Sequence, residues 1–291
     1  MILVTGATGH FGNAAINFLL EKGVKATEIT ALVRAKESAE QFTKRGIQTV
    51  VGDYDDYASL VSAFKGVDHL LFVSGSDIGK RLLQHQHVVK AAVASGVKHI
   101  VYTSFQRKNE TETSPLWGVA QSHLQTEKWL KESGITYTIL KNNLYMDFIP
   151  AFVGEKVSET GVIYLPAKDG KVSAALRVEL AEATATILRT VSSHVNKVYD
   201  FTNSEAFTYQ EVAELISAQI GKKINYVSPT ADEYAQTLAK FGLPQDMIGV
   251  FAGFAVAQAV GELDVVSKDL ENILGRKPTT IAEFLKSVYR A

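Results

Sequence analysis

Through its first half the chain alternates short, almost wholly apolar runs with longer stretches in which apolar positions recur every three or four residues. The runs ILVT (2–5), EITALV (28–33), IQTVVGD (47–53), HLLFVS (69–74), HIVYTS (99–104) and TYTILK (136–141) read as strands. The stretches 11–22, 36–45, 57–65, 81–95 and 122–133 read as helices, several closed by a glycine such as Gly23, Gly66 or Gly134, which accepts the left-handed backbone after a last turn. Strict alternation predicts parallel strands joined by right-handed crossovers. Strands that are apolar throughout are expected where both sheet faces are covered. Residues 1–150 therefore predict an α/β domain with a doubly wound parallel sheet of the Rossmann kind.

The second half, 151–291, is less regular and predicts a smaller C-terminal α+β lobe on the substrate side, partly interleaved with the first. GVIYLP (161–166) and KVSAAL (171–176) flank the turn AKDG as strand candidates. A helix follows at 178–190, then a strand at 197–202. Thr208 is placed to cap a helix over 209–220, with Glu211 completing a capping box. KKINYVS (222–228) reads as a strand, and the remainder is mainly helical.

Composition narrows the function classes. The chain has 291 residues, 46% apolar and 21% charged, with a formal net charge of -1. No field of one sign points to nucleic acid or to an anionic membrane. The absence of cysteine excludes disulfides, thiolate metal sites and a cysteine nucleophile, and is compatible with a reducing compartment, so a cytoplasmic location is expected. No signal peptide is read at the N-terminus. The apolar stretch 247–261 is too short and glycine-rich for a membrane span, and suits core or homodimer packing more than a docking surface.

The chemistry begins at TGATGHFG (5–12). Gly6 permits a tight turn, Gly9 lets backbone approach a pyrophosphate, and Gly12 lets the helix pack closely. With Ala7, Thr8, His10 and Phe11, these residues form a strand–turn–helix whose amides and dipole favour a phosphate. At the end of the second strand an acid would bond the ribose of NAD; the chain has Arg34 there, with Lys36 beyond, which favours the 2′-phosphate of NADP(H). Asp53 ends the third strand and suits either the adenine amino group or a helix N-cap, a task Asp55 or Asp56 can also take. Ser74, Gly75 and Ser76 follow the fourth strand, where small residues leave room for a coenzyme.

The helix carrying QSHLQTEKWL has Lys128, but Leu124 rather than tyrosine stands four residues before it. The usual Tyr-x-x-x-Lys proton-donating pair is missing. Lys128 suits a ribose hydroxyl or plain solvent equally well, and His123 falls on another face. Alcohol oxidation needs a positioned base. A quinone accepts hydride without one, so the reaction needs mainly two rings held close. Phe105, Tyr145 and Phe148 are candidate wall residues, though each alone suits core filling. His85 and His87 point apart and read as surface residues. No metal motif is present.

In order and spacing, TGATGHFG, LVR with Arg34, DYDD (53–56), SGSDIGKR (74–81), YTS (102–104), SPL (114–116), HLQTEK (123–128) and ILKNNLYMD (139–147) resemble the NmrA-like atypical short-chain dehydrogenase/reductases, and within them the bacterial type-2 NAD(P)H:quinone oxidoreductases. The resemblance implies NADPH contacts from Gly6 to Phe11, from Arg34, from Ser76, Asp77 and Ile78, and from Asn142, Asn143, Leu144, Tyr145, Met146 and Asp147. It implies direct hydride transfer to a small-molecule quinone without flavin or metal. For a catalytic part the residues offer only Lys128 and Tyr145 as candidates, neither of them firm. Asn143, Leu144 and Met146 depart from the Gly, Trp and Ser usual in that family. Two other readings stand: an NmrA-like redox sensor that binds NAD(P) without turnover, and, more weakly, a nucleotide-sugar epimerase or dehydratase.

Overall fold

The structure, a computed structural model, describes residues 1–289. The first half runs β1 (Ile2–Val4), α1 (His10–Glu21), β2 (Ile29–Val33), α2 (Glu40–Thr43), β3 (Gln48–Val51), α3 (Tyr57–Ala63), β4 (His69–Phe72), α4 (Arg81–Ala94), β5 (His99–Phe105), α5 (Trp117–Glu132) and β6 (Thr136–Asn142). The second half runs α6 (Ile149–Val153), α7 (Val157–Thr160), β7 (Val162–Tyr164), α8 (Arg177–Arg189), β8 (Lys197–Phe201), α9 (Tyr209–Ile220), β9 (Asn225–Val227), α10 (Ala231–Lys240), α11 (Gln245–Ala259), α12 (Asp269–Leu274) and α13 (Ile281–Val288).

Seven strands form one parallel sheet in the order β3-β2-β1-β4-β5-β6-β8. Strand order reverses at β1, so a crevice opens between the carboxyl ends of β1 and β4, where ligands of open α/β sheets bind. The central strands are buried on both faces, as their unbroken apolar runs require; every residue of β2 and β5 is buried. One face packs Ala15, Ile16 and Leu19 of α1 with Leu180 and Ile187 of α8. The other packs Leu60 of α3, Val88 and Ala92 of α4 and Leu130 of α5.

Residue 150 is not a clean boundary in the sheet. The chain returns after β7 to lay α8 beside α1 and to add β8 to the sheet edge, where Asn142 pairs with Phe201. What remains apart is a lobe around the two-stranded parallel sheet β7-β9. Phe152, Ile163, Tyr209 and Ile216 fill its core together with Phe105 and Leu116 from the first half. Thr208 does cap α9, its hydroxyl accepting from the Glu211 amide at 3.1 Å while the Glu211 carboxylate accepts from the Thr208 amide.

Four elements differ from the sequence pattern. The stretch 36–45 is a 3₁₀ turn followed by the short α2, because only Phe42 in it is buried and nothing sustains a longer helix. α5 begins at Trp117 rather than near 122, its start fixed where the Ser114 hydroxyl accepts from the Leu116 amide. KVSAAL is extended but joins no sheet; single bridges tie Val172 to Phe207 and Ala175 to Tyr145. Of KKINYVS only Asn225–Val227 pairs as a strand. No helix among the described residues is long and apolar enough to cross a membrane.

Candidate active site

One cavity of about 690 Å³ runs along the carboxyl edge of the sheet, from the ends of β2 and β3, past the β1–α1 turn, to the ends of β5 and β6. Its middle is the glycine turn. Gly6 adopts a positive φ of 58°, with Val73 beneath it. A Cβ on Gly12 would lie 2.4 Å from the Gly6 carbonyl oxygen, so only glycine lets the helix start fold back on the turn. Gly9 is the N-cap of α1 and offers no side chain to cap it. The first amides of a helix have no intrahelical acceptor. Here those of His10, Phe11 and Gly12 border the cavity, a cradle suited to an anion.

At the β2–β3 end stand Arg34 and Asp53. Arg34 is exposed, and no carboxylate pairs with it among the described residues. Asp56, not Asp53, is the N-cap of α3, accepting from Ser59 at 3.1 Å. Asp53 faces the cavity and accepts from the Asp55 amide. Thr8, Ser74, Gly75, Ser76 and Asp77 also line the cavity.

The β5–β6 end is walled by Phe105, Leu144, Tyr145, Phe148 and, from outside the first half, Arg177 and Phe254. The rings of Tyr145 and Phe148 stack at 6.2 Å and 10°, and the Arg177 guanidinium lies 5.0 and 5.1 Å from their centroids. Asn143 is locked: its amide donates to Gln106 and to the Leu263 carbonyl, and its oxygen accepts from the Leu144 amide. Asn142 is also buried, yet neither its Oδ1 nor its Nδ2 has a hydrogen-bond partner. Both atoms are sealed from solvent, and such an amide costs free energy where it stands.

Several expected residues are placed elsewhere. Ala7 is in the core beneath the turn, and Ile78 does not reach the cavity lining. Met146 is buried in the core of the second lobe. Asp147 turns outward, and its carboxylate accepts from the Arg177 amide at 2.8 Å, capping α8. Lys128 is exposed on the outer face of α5, in a separate shallow depression with Glu110, Glu132 and Lys141. The i, i+4 pair that α5 turns into the cavity is Val119 and His123. The helix is therefore rotated relative to the register that the search for a Tyr-x-x-x-Lys pair assumed.

Beneath the β5–β6 end lies a polar cluster that the sequence pattern did not single out. His85, expected at the surface, is fully buried. Its Nε2 accepts from the Gly75 amide at 3.0 Å, so its proton sits on Nδ1, 2.9 Å from Thr126 Oγ1. Arg81 is buried and lines the cavity. Its Nε donates to the Gly75 carbonyl at 2.6 Å and its Nη1 to His123 Nε2 at 3.3 Å. That leaves Nδ1–H of His123 to donate to the Tyr102 hydroxyl at 2.7 Å. Burial, with the charge of Arg81 second, lowers both imidazoles; His85 falls to about 3 and His123 lies well below its usual value. Burial also raises the Tyr145 and Tyr102 phenols. Both histidines are thus neutral at physiological pH, and neither phenol ionises there.

A model of the NmrA-like family matches residues 1–285. Quinone oxidoreductase 2 from Escherichia coli (strain K12) is 37% identical over 289 residues, 99% of each chain. The crystal structure of the NADPH-dependent quinone oxidoreductase QOR2 from Escherichia coli complexed with NADPH superposes with a TM-score of 0.91 over the whole of both chains, at 37% identity. The Citrobacter sp. triphenylmethane reductase complexed with NADP(H) does so at 0.90 over 99% of each chain, at 38% identity.

Proposed function

The chain belongs to the NmrA-like family, and on that premise we propose that it is an NADPH-dependent reductase that passes hydride directly to a quinone or a related carbonyl acceptor. One observation carries the reading. A single cavity joins a guanidinium without an ion-pair partner among the described residues, at one end, through an amide cradle in its middle, to an aromatic-walled space without a Tyr-Lys pair at the other.

The residues present fit a phosphorylated dinucleotide. The amides of His10, Phe11 and Gly12 would hold its diphosphate, and Arg34 its 2′-phosphate. Asn142, buried at the cavity wall, would lie beside the far half. With the phosphates placed between β1 and β2, that half extends across β4 towards β5 and β6. When bound, the dihydronicotinamide supplies the hydride.

The chain's own part is positional. Phe105, Leu144 and Phe254 offer apolar walls that exclude water and orient a flat acceptor. None of the shifted groups there titrates near neutrality, since His123 is held neutral and Tyr145 is pushed up. The Tyr-Lys pair that serves alcohol oxidation is absent from the cavity, with Leu124 and Lys128 at that spacing and Lys128 outside it, whereas a quinone needs no such pair. Resemblance to a quinone reductase and a dye reductase, both bound to the phosphorylated coenzyme, supports the same class of reaction. The test pairs fluorescence titration with NADPH and NADH against turnover of a panel of benzoquinones and naphthoquinones. Tighter NADPH binding with quinone-dependent oxidation is expected. Binding without consumption of any acceptor would overturn the reading in favour of a sensor.

A further inference from the structure

Arg81 is a buried cation without a counter-ion. Its side chain lines the cavity, and no carboxylate lies within ion-pair distance of it among the described residues. Asp77, the nearest acid in sequence, directs Oδ1 to the Lys80 amide at 3.2 Å instead. The guanidinium is fixed from two sides, by the Gly75 carbonyl on Nε and by His123 on Nη1. Nη2 has no partner among the described residues, and it is not among the sealed, unsatisfied atoms. It is therefore not sealed, on a side chain that lines the cavity. Burial lowers the guanidinium from its usual value, but an arginine stays charged at any working pH.

The support around Arg81 is unusual in its chemistry. His123 has its lone pair turned to the guanidinium and its proton turned to Tyr102, while His85 receives the Gly75 amide and so steadies the loop whose carbonyl holds Nε. Neutral imidazoles orient the cation without neutralising it. A carboxylate in either place would have cancelled the charge. An uncompensated buried charge is costly to maintain, and the cost is explained where a ligand brings the opposite charge. The His123 ring also lies 6.2 Å from that of Phe105, which places the cluster at the β5–β6 end of the cavity and not beside Arg34.

We propose that Arg81 is the oxyanion partner of the reaction, donating from its unpartnered Nη2 to the acceptor oxygen on which negative charge develops. This rests on the quinone-reductase reading. A quinone that takes up a hydride gains two electrons and one proton and becomes a hydroquinone monoanion, while the nicotinamide is oxidised. A second proton, from water, completes the hydroquinone. The chain then needs no proton donor of its own, because a fixed cation stabilises the anion until water protonates it. His123 acts through Arg81, as a positioning residue. The site accordingly prefers acceptors that become anionic over cationic acceptors that lose charge on reduction.

The experiment compares wild-type, Arg81→Met and Arg81→Lys proteins in three measurements: NADPH affinity by fluorescence, steady-state turnover of a benzoquinone, and affinity of the NADP⁺-loaded protein for 4-nitrophenolate against neutral 4-nitroanisole. Arg81→Met is expected to bind NADPH within about threefold of wild type while kcat falls on the order of 100-fold, the usual loss for one oxyanion donor. It should also lose the preference for the phenolate. Arg81→Lys should retain that preference with kcat reduced about tenfold, since an ammonium keeps the charge without the fork. It carries the test alone if the Met variant does not fold. An unchanged kcat in either variant, or a phenolate preference absent in wild type, overturns the proposal. A loss confined to NADPH affinity also overturns it and assigns the guanidinium to the coenzyme. Wild-type protein that turns over no quinone contradicts the underlying reading, and the phenolate measurement still decides whether Arg81 holds an anion.

Discussion

Arg34 stands exposed at the end of β2, facing the cavity with no acidic partner among the described residues. On the proposed reading, exchanging Arg34→Asp would remove charge-assisted bonds to the 2′-phosphate, each worth about 1.5–3 kcal/mol. The KM for NADPH should rise roughly 10- to 100-fold with NADH unharmed, as steady-state kinetics with either coenzyme would show. Gly12→Ala presses a methyl to 2.4 Å from the Gly6 carbonyl, so the turn must shift. Calorimetry should record at least about a tenfold loss of NADPH affinity, together with a lower melting temperature. Both residues could be singled out in the sequence as candidates, because a glycine turn after a strand and a strand-end cation sit at fixed spacing, and both line the cavity. Arg81 and His123 could not. A buried arginine looks like any helix-start charge until its partners are known, and the facing register of α5 depends on where that helix begins.

Among the elements, β5 and β6 appear almost where the apolar runs put them, because both faces of a central strand are covered and the signal is continuous. KVSAAL also reads as a strand but makes only single bridges, to Phe207 and to Tyr145, and stays an extended segment. Histidines on α4, β5 and α5 follow a rule that shows only after folding. His85, His99 and His123 are buried with lowered pKa values, chiefly by desolvation, to about 3 for His85 and about 4 for His99. As pH falls below the unfolded value near 6.5, the unfolded chain binds protons that the folded one refuses. Stability should be level above that pH and fall below it, each histidine contributing up to about 1.4 kcal/mol per pH unit until its folded value is reached. Urea midpoints at pH 7.5 and pH 5 measure this. His99→Gln, which removes a ring held between Thr136 and Thr138, should make the decline shallower; an unchanged midpoint across that range would contradict the account.

At the scale of the molecule, the sheet and the second lobe interlock. The first half was readable as an alternating sheet and an interleaved second lobe with a strand at 197–202 was expected, but the pattern did not show that this strand would join the sheet edge or that Phe105 would help fill the lobe's core. Long-range closure depends on single contacts. Glu179 of α8 is buried and accepts from Arg276 and from the amide and hydroxyl of Thr279, fastening the approach to α13. Glu179→Ala should cost about 2–4 kcal/mol, read as a lower melting temperature, while NADPH affinity holds. The central claim, that this cavity brings a phosphorylated coenzyme and a quinone ring together, is tested most directly by a single turnover. Flavin-free protein is mixed under argon with equimolar NADPH and benzoquinone, and absorbance at 340 nm is followed beside the yield of hydroquinone. The account predicts one hydroquinone for each NADPH, at a rate far above that without protein. Protein-bound NADPH that stays reduced beside the quinone would contradict it.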